Sequence, residues 1–258
     1  MTMLVKLVVC IIAGIGAGFG TGIAGLSAAA VIAPMLITFL GTDPYEAVGI
    51  ALASDVLASA ASAYTYGKNK NLDIKNGIVM LVSVLVFTLV GSYAASFLPK
   101  ATMGGFSMLM TLFAGLKFIV RPVMTERTQR ANIDKSKATV QSVICGAAVG
   151  LICGFVGAGG GMLMLLVLVS VLGYELKTAV GTSVFIMTFT AFTGAASHFV
   201  IGGGISDYTL LVACVIFTLL GAVITAKYAN KMSATLMNRM LGIGISIMSI
   251  AMIIVNFI

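Results

Sequence analysis

The stretch YTLLVACVIFTLLGAVITA, residues 208–226, runs nineteen positions without a charged side chain. As a helix rising 1.5 Å per residue it spans about 28 Å, close to the hydrocarbon thickness of a bilayer, about 30 Å. Runs of similar apolarity lie at 77–98, 103–120, 178–200 and 240–258. A backbone in lipid must satisfy its own hydrogen bonds, which leaves helices or a closed barrel, and uninterrupted apolar runs exclude the alternating pattern of a barrel. The sequence therefore predicts an all-α, polytopic transmembrane helix bundle.

Composition agrees. Of 258 residues, 60% are hydrophobic and only 9% charged, with a mean hydropathy of +1.13, whereas soluble domains carry about 25% charged residues. The net charge of +7 does not indicate nucleic acid, because the basic residues sit in short loops and form no continuous face. Orientation in the membrane is their expected use. Cys10, Cys145, Cys153 and Cys214 lie inside apolar segments without CxxC spacing, so neither a disulfide nor a thiolate metal site is expected. No cofactor is expected either. Lys6 followed by an apolar run resembles a signal peptide, but no small-x-small cleavage site follows, and the run is read as the first membrane segment.

The second half echoes the first. Gly18-Phe19 returns as Gly154-Phe155, Ala47-Val48-Gly49 as Ala179-Val180-Gly181, and Phe87-Thr88-Leu89-Val90-Gly91 as Phe217-Thr218-Leu219-Leu220-Gly221. Two transmembrane repeats follow, 1–120 and 139–258, joined by a basic linker over 121–138. Each reads as a Gly-rich pair of short segments (4–23 with 26–40; 139–157 with 159–172) and three spans (46–66, 77–98, 103–120; 178–200, 208–226, 240–258). The basic loops 67–76, 121–138 and 227–239 are expected in the cytoplasm. Each Gly-rich pair must then return to its own side, making the halves an inverted repeat with both termini outside. Lys6 stands against this, as a charge on an outer N-terminus.

Three places could carry chemistry. The first is the pair of glycine-rich stretches, Gly18-Phe-Gly-Thr-Gly-Ile-Ala-Gly25 and Gly154-Phe-Val-Gly-Ala-Gly-Gly-Gly161. Glycine weakens a helix by about 1 kcal/mol relative to alanine, and an unwound backbone in lipid survives only in protein or beside a wet cavity. Paired breaks would offer N–H groups to an anion at mid-depth, from Gly20, Thr21, Gly22 and Gly25 in one half and Gly157, Gly159, Gly160 and Gly161 in the other. The competing use is close helix packing through small residues. The second is Asp55, nine residues into span 46–66 and so about 14 Å along it, near the bilayer centre. A carboxylate there is costly and commonly serves ions or protons; a hydrogen-bonded Asp tying helices together is the alternative. Ser54, Ser59 and Ser62 share its helix. The third is Thr182-Ser183, whose hydroxyls could donate to an oxyanion or simply cap a helix. His198 is the sole histidine, which excludes a histidine metal cluster. Lys117 is expected to snorkel to the interface.

The hairpins Gly18-Phe19 through Pro34-Met35-Leu36 and Gly154-Phe155 through Gly161-Met162, with Ala179-Val180-Gly181-Thr182-Ser183 and the basic central loop, carry a resemblance. Over nearly its full length the chain resembles the sulfite exporter TauE/SafE family, also called the toluenesulfonate uptake permease family. The resemblance implies a multi-pass inner-membrane carrier for a small, often sulfur-containing anion such as sulfite or an organosulfonate. The expected partners are that anion and membrane lipid, with homo-oligomer formation left open; a negative interior favours anion exit, so uptake would need a coupling proton or sodium ion whereas export could run uncoupled. Two departures stand out: Gly49-Ile50-Ala51 matches Gly181-Thr182-Ser183, and Ser170 stands where the first half has Pro34. The two half-sites are therefore not expected to contribute equally. An anion channel and, behind it, a membrane-embedded enzyme are the competing functions; no Ser-His pair or HExxH supports the latter.

Overall fold

The computed structural model describes residues 3–95, 97, 135–156, 160–202 and 204–233, with isolated positions at 235, 236, 239, 243 and 250. The described chain is helical. It comprises α1 (Met3–Ala24), α2 (Ala29–Leu40), α3 (Pro44–Lys68), α4 (Ile74–Ala95), α5 (Lys135–Val156), α6 (Gly160–Leu166) continuing into a wide π turn at Val167–Val171, α7 (Leu176–Gly202) and α8 (Tyr208–Ala229). Five helices, α1, α3, α4, α7 and α8, are long and apolar enough to cross a membrane. The expected spans 103–120 and 240–258, most of the linker 121–138, and Lys117 lie outside the described residues.

Local chemistry sets the helix ends. Gly41 closes α2 in the left-handed region (φ 64°), where its N–H reaches back to the Ile37 and Leu36 carbonyls. Asp43 then caps α3, accepting from the Tyr45 N–H at 3.0 Å, with Pro44 in the first turn. Asp207 caps α8 through the Thr209 N–H at 2.9 Å, and Asp73 caps α4 through the Asn76 N–H at 3.1 Å.

Two layers of polar contacts mark the ends of the bundle. At one end Lys6 of α1 pairs with Asp207 at 2.6 Å, and the Glu46 carboxylate of α3 accepts from the Ser206 N–H at 2.7 Å and from its hydroxyl. At the other, the Asn71 amide donates to Asn230 at 2.9 Å, the Lys177 ammonium to the Asn230 carbonyl at 2.8 Å, and Tyr174 Oη to Asp73 at 3.1 Å. The loops 69–73 and 230–233 therefore share one end, and the starts of α1, α3 and α8 share the other.

Packing crosses between the halves. Helix α1 lies along α8, α4 along α5, and α3 against α7. The α1–α8 contact is a glycine seam. A Cβ at Gly14 would sit 2.7 Å from that of Phe217, one at Gly18 would run into the Thr218 carbonyl, and one at Gly22 into the Thr225 hydroxyl. The α4–α5 contact repeats the device, with Gly150 set against Val84 and Phe87. In a bundle where lipid is as apolar as leucine, such close backbone approach is the main source of helix association.

This corrects the first glycine-rich stretch. Helix α1 does not unwind at Gly18, Gly20, Thr21 or Gly22; it runs to Ala24 and is a full 22 residues rather than a short segment. Gly18 and Gly22 are bare because α8 lies against them, and the chain turns only at Gly25 (φ 62°), a conformation glycine adopts without penalty. Of the pair, only α2, at 12 residues, is short.

Candidate functional site

The turn after α1 is built around Asp55. Its carboxyl group sits midway along α3 with 1% of its surface exposed. Ser27 Oγ donates to Oδ2 at 2.9 Å, and Ser59 Oγ, one helical turn on, donates to Oδ1 at 3.0 Å. The Ala28 backbone N–H is a further donor. Thr21 Oγ1 lies 3.4 Å from Oδ1 while reaching the Leu26 carbonyl at 2.8 Å and that of Ala17 at 3.1 Å. Asp55 thus ties the end of α1, the turn and the start of α2 to α3 through hydroxyls and one amide. No cation stands beside it among the described residues.

The second half meets this cage at Gly161. A Cβ there would strike the Gly25 carbonyl, and would lie 2.6 Å from the Ser27 nitrogen and 2.7 Å from the Met187 sulfur. Gly25 and Gly161 are related by the same 136-residue step as Gly18 and Gly154. A small cavity of about 10 Å³ lies here, lined by Ser27, Asp55, Thr88, Cys153, Gly161 and Thr190 among others. That is room for about one water molecule, so the site is closed.

Of the expected site residues, Gly25, Gly161 and Asp55 converge on this point. Gly20, Thr21 and Gly22 lie in helical backbone, and only Thr21 reaches the site, through its side chain. Gly160 opens α6; Gly157 and Gly159 lie outside the described residues. The Thr182-Ser183 pair splits. Ser183 Oγ abuts Gly25 and donates to the Val180 carbonyl at 2.8 Å. Thr182 instead faces the end of the bundle, where Oγ1 accepts from the Asp73 N–H at 3.1 Å. On α3, Ser59 joins the cage, whereas Ser54 donates to Ile50 and Ser62 Oγ has no partner among the described residues.

The sequence reading did not single out Ser27 or Thr190. Ser27 could have been found, because a serine between a helix-ending glycine and an apolar helix is a cap candidate, and its Oγ does accept from the Ala29 N–H at 3.3 Å. Thr190 carries no such signal.

His198 and Tyr66 form a second pair. Both are buried and are related by the 132-residue step that maps Ala47 onto Ala179. Tyr66 Oη donates to the Gly22 carbonyl at 3.1 Å, and His198 Nε2 lies 3.3 Å from the Gly154 carbonyl, which can only accept. Each ring holds the first helix of its own half. No group of three or more metal-ligating side chains occurs among the described residues.

The sequence model described as "Sulfite exporter TauE/SafE" matches residues 10–252. The chain belongs to the sulfite exporter TauE/SafE family. Within that family's reach, "Probable membrane transporter protein YdhB" of Bacillus subtilis (strain 168) is 26% identical over 215 residues, 83% of this chain and 87% of the relative. "Probable membrane transporter protein YunE" of the same organism is 27% identical over 216 residues, 76% of this chain and 79% of the relative. The chain is accordingly a multi-pass membrane transporter of the TauE/SafE family.

Proposed function

We propose that the protein is a secondary transporter for a small, sulfur-containing anion, sulfite or an organosulfonate, working by alternating access in the plasma membrane. The observation that carries this reading is the meeting of the start of α6 with the turn after α1, Gly161 against Gly25 and Ser27, beside a small cavity midway along α3 whose wall includes Ser27, Asp55, Thr88 and Thr190. Membership of a family described as sulfite exporters supplies the substrate class. In a low-dielectric bundle an anion needs donors, and the cavity wall carries the hydroxyls of Ser27 and Thr190. Neutral donors suit a carrier because they release what they bind.

The two repeats, 1–120 and 139–258, supply the moving parts in this reading. Two supports favour an inverted relation. The α1 glycine seam rises in step with α8, and the α5 seam in step with α4, whose start lies at the opposite end of the bundle. The two ends carry matching latches, with the residues preceding α8 tied to Glu46 and those preceding α4 tied to Thr182. The basic loops are assigned to the cytoplasm by the positive-inside rule. Lys6, on the outer face, is offset by Asp207.

Proteoliposomes preloaded with sulfite, thiosulfate, sulfoacetate or taurine test the function. Saturable uptake of at least one, accelerated by the same anion on the opposite side, is expected. Linear, non-exchanging flux would replace the carrier by a channel, and no flux of any of the four would reject the substrate class.

A further inference from the structure

The cage around Asp55 has a donor and acceptor inventory that distinguishes its two protonation states. Thr21 has a single hydroxyl proton, and two carbonyls, Leu26 at 2.8 Å and Ala17 at 3.1 Å, lie closer to it than Asp55 Oδ1 at 3.4 Å. Carbonyls only accept, so the proton of Thr21 belongs to one of them and its lone pairs face Oδ1. Two oxygens facing each other without a proton would repel. A proton on Oδ1 makes the contact a hydrogen bond from Asp55 to Thr21. The remaining donors, Ser27, Ser59 and the Ala28 N–H, are neutral, so an ionised carboxylate here would have no countercharge among the described residues.

The other described elements around α3 bring no charged side chain to the cavity wall. Helices α2 and α6 contain no titratable residue, and α5 contributes the Cys153 thiol to the cavity wall. Helix α1 carries Lys6 and Cys10, α7 Lys177 and His198, α4 Lys75 and Tyr93, and α8 Tyr208, Cys214, Lys227 and Tyr228. None of these lines the cavity.

We infer that Asp55 is a proton-binding site whose occupancy is the condition for anion binding, so that one proton and one anion cross together as a symport. This rests on the anion-carrier reading and names its coupling ion. The physical reason is twofold. An ionised Asp55 at the cavity wall repels an anion in a medium that screens charge poorly. It also holds the hydroxyls of Ser27 and Ser59 as donors to a charged group, whereas the neutral carboxyl donates its own proton to Thr21 and accepts from them more weakly, so that Ser27, on the cavity wall, can turn toward the anion. Proton and anion thereby favour each other's binding, and that coupling is reciprocal. The proton comes from water on the face where the anion enters and returns to water on the face where it leaves. With a monovalent anion the loaded carrier moves no net charge, so its flux follows the proton gradient rather than the membrane voltage.

The test uses the full chain in proteoliposomes with a trapped pH-sensitive dye, and radiolabelled sulfite and methanesulfonate as probes; the second has no titratable proton of its own. Lumenal acidification accompanying probe uptake is expected, with affinity falling by up to about tenfold per pH unit on the alkaline side. In Asp55→Asn the pH dependence of binding disappears and any residual exchange proceeds without acidification. Should that variant not fold, Thr21→Val serves instead, and loss of the proton's acceptor moves the pH midpoint toward acid. Acidification that persists in Asp55→Asn, a sodium requirement in place of proton movement, wild-type affinity independent of pH, or an unmoved midpoint in Thr21→Val would each overturn the symport. Infrared spectroscopy separates the two readings. A protonated carboxyl band that vanishes in Asp55→Asn, seen without exchange of either probe, removes the anion-carrier reading and the symport while the proton site stands. Exchange without that band removes the proton site alone.

Discussion

Helices α3 and α7 correspond in sequence across the two halves, yet they carry different chemistry. The 132-residue step that superposes Ala47-Val48-Gly49 on Ala179-Val180-Gly181 puts Asp55 over Met187, Ser59 over Ala191 and Tyr66 over His198. Positions that set the spacing of the bundle are alike, while those that face the cavity differ. Asp55 and Met187 both line the small cavity, one from each half. A second carboxyl in place of Met187 would share a buried space with the first, and like charges cannot both ionise there. The scaffold can therefore repeat while the titrating group cannot.

The comparison breaks most visibly at the glycine seams. Gly14 and Gly150 are related by the 136-residue step and pack on Phe217 and Phe87 respectively. Leucine at either should force α1 from α8, or α5 from α4, at a cost of about 3 kcal/mol or more. Thermal unfolding of the detergent-solubilised protein checks this. Similar losses for Gly14→Leu and Gly150→Leu would establish the seams as equivalent, and a loss in one alone would show that the halves are not held by the same device.

A smaller but more specific effect is expected on α7. Met187→Asp places a carboxyl beside Asp55 without a Ser59 counterpart, since Ala191 stands there. A destabilisation of about 3 kcal/mol at neutral pH is expected, shrinking as the medium is acidified and the new group is protonated. Adding Ala191→Ser should restore part of it. No rescue would mean that the hydroxyls of the natural cage are not what makes Asp55 tolerable.

Why some of this was legible in sequence follows from the same two kinds of position. Apolar runs of spanning length translate directly into helices: the run 208–226 lies within α8, Tyr208–Ala229, and 178–200 within α7, Leu176–Gly202. Asp55 stood out because a carboxylate inside an apolar run has few structural reasons to exist. Glycine was ambiguous. Gly18 and Gly22 permit contact with another helix and Gly25 permits a turn, yet the sequence around them looks the same, because the distinction rests on a partner some 200 residues away. Thr182 was misplaced for a related reason. Its neighbour Ser183 abuts Gly25, but one residue along a helix is a 100° rotation, and Thr182 meets the Asp73 loop instead.

The ring pair gives a finer test. Tyr66→Phe removes the donor to the Gly22 carbonyl and His198→Phe removes the contact with the Gly154 carbonyl. Each should cost about 1 kcal/mol, read as a lower melting temperature. A loss in Tyr66→Phe alone would place the stabilising duty in the first half only.

The smallest effect is expected at the latch between Lys6 and Asp207. Lys6 and Asp207 are 2.6 Å apart with side chains 35% and 22% exposed, which limits the pair to about 0.2–1 kcal/mol, since solvent and salt screen it. The hydrogen bond from Lys6 is the main influence holding the Asp207 carboxyl below the usual carboxylate range, with partial burial opposing it and the Thr209 N–H assisting. A group whose pKa is lowered by folding stabilises the fold above its unfolded pKa and stops doing so as pH falls through the lower, folded value. Lys6→Ala should therefore melt slightly earlier than the wild type at neutral pH, and the difference should close in acid. High salt should close it as well. A Lys6→Ala deficit that persisted in acid and in high salt would mean that Lys6 acts through packing of its stem on α8, and this end of the bundle would then owe its hold to Glu46 and Ser206 alone.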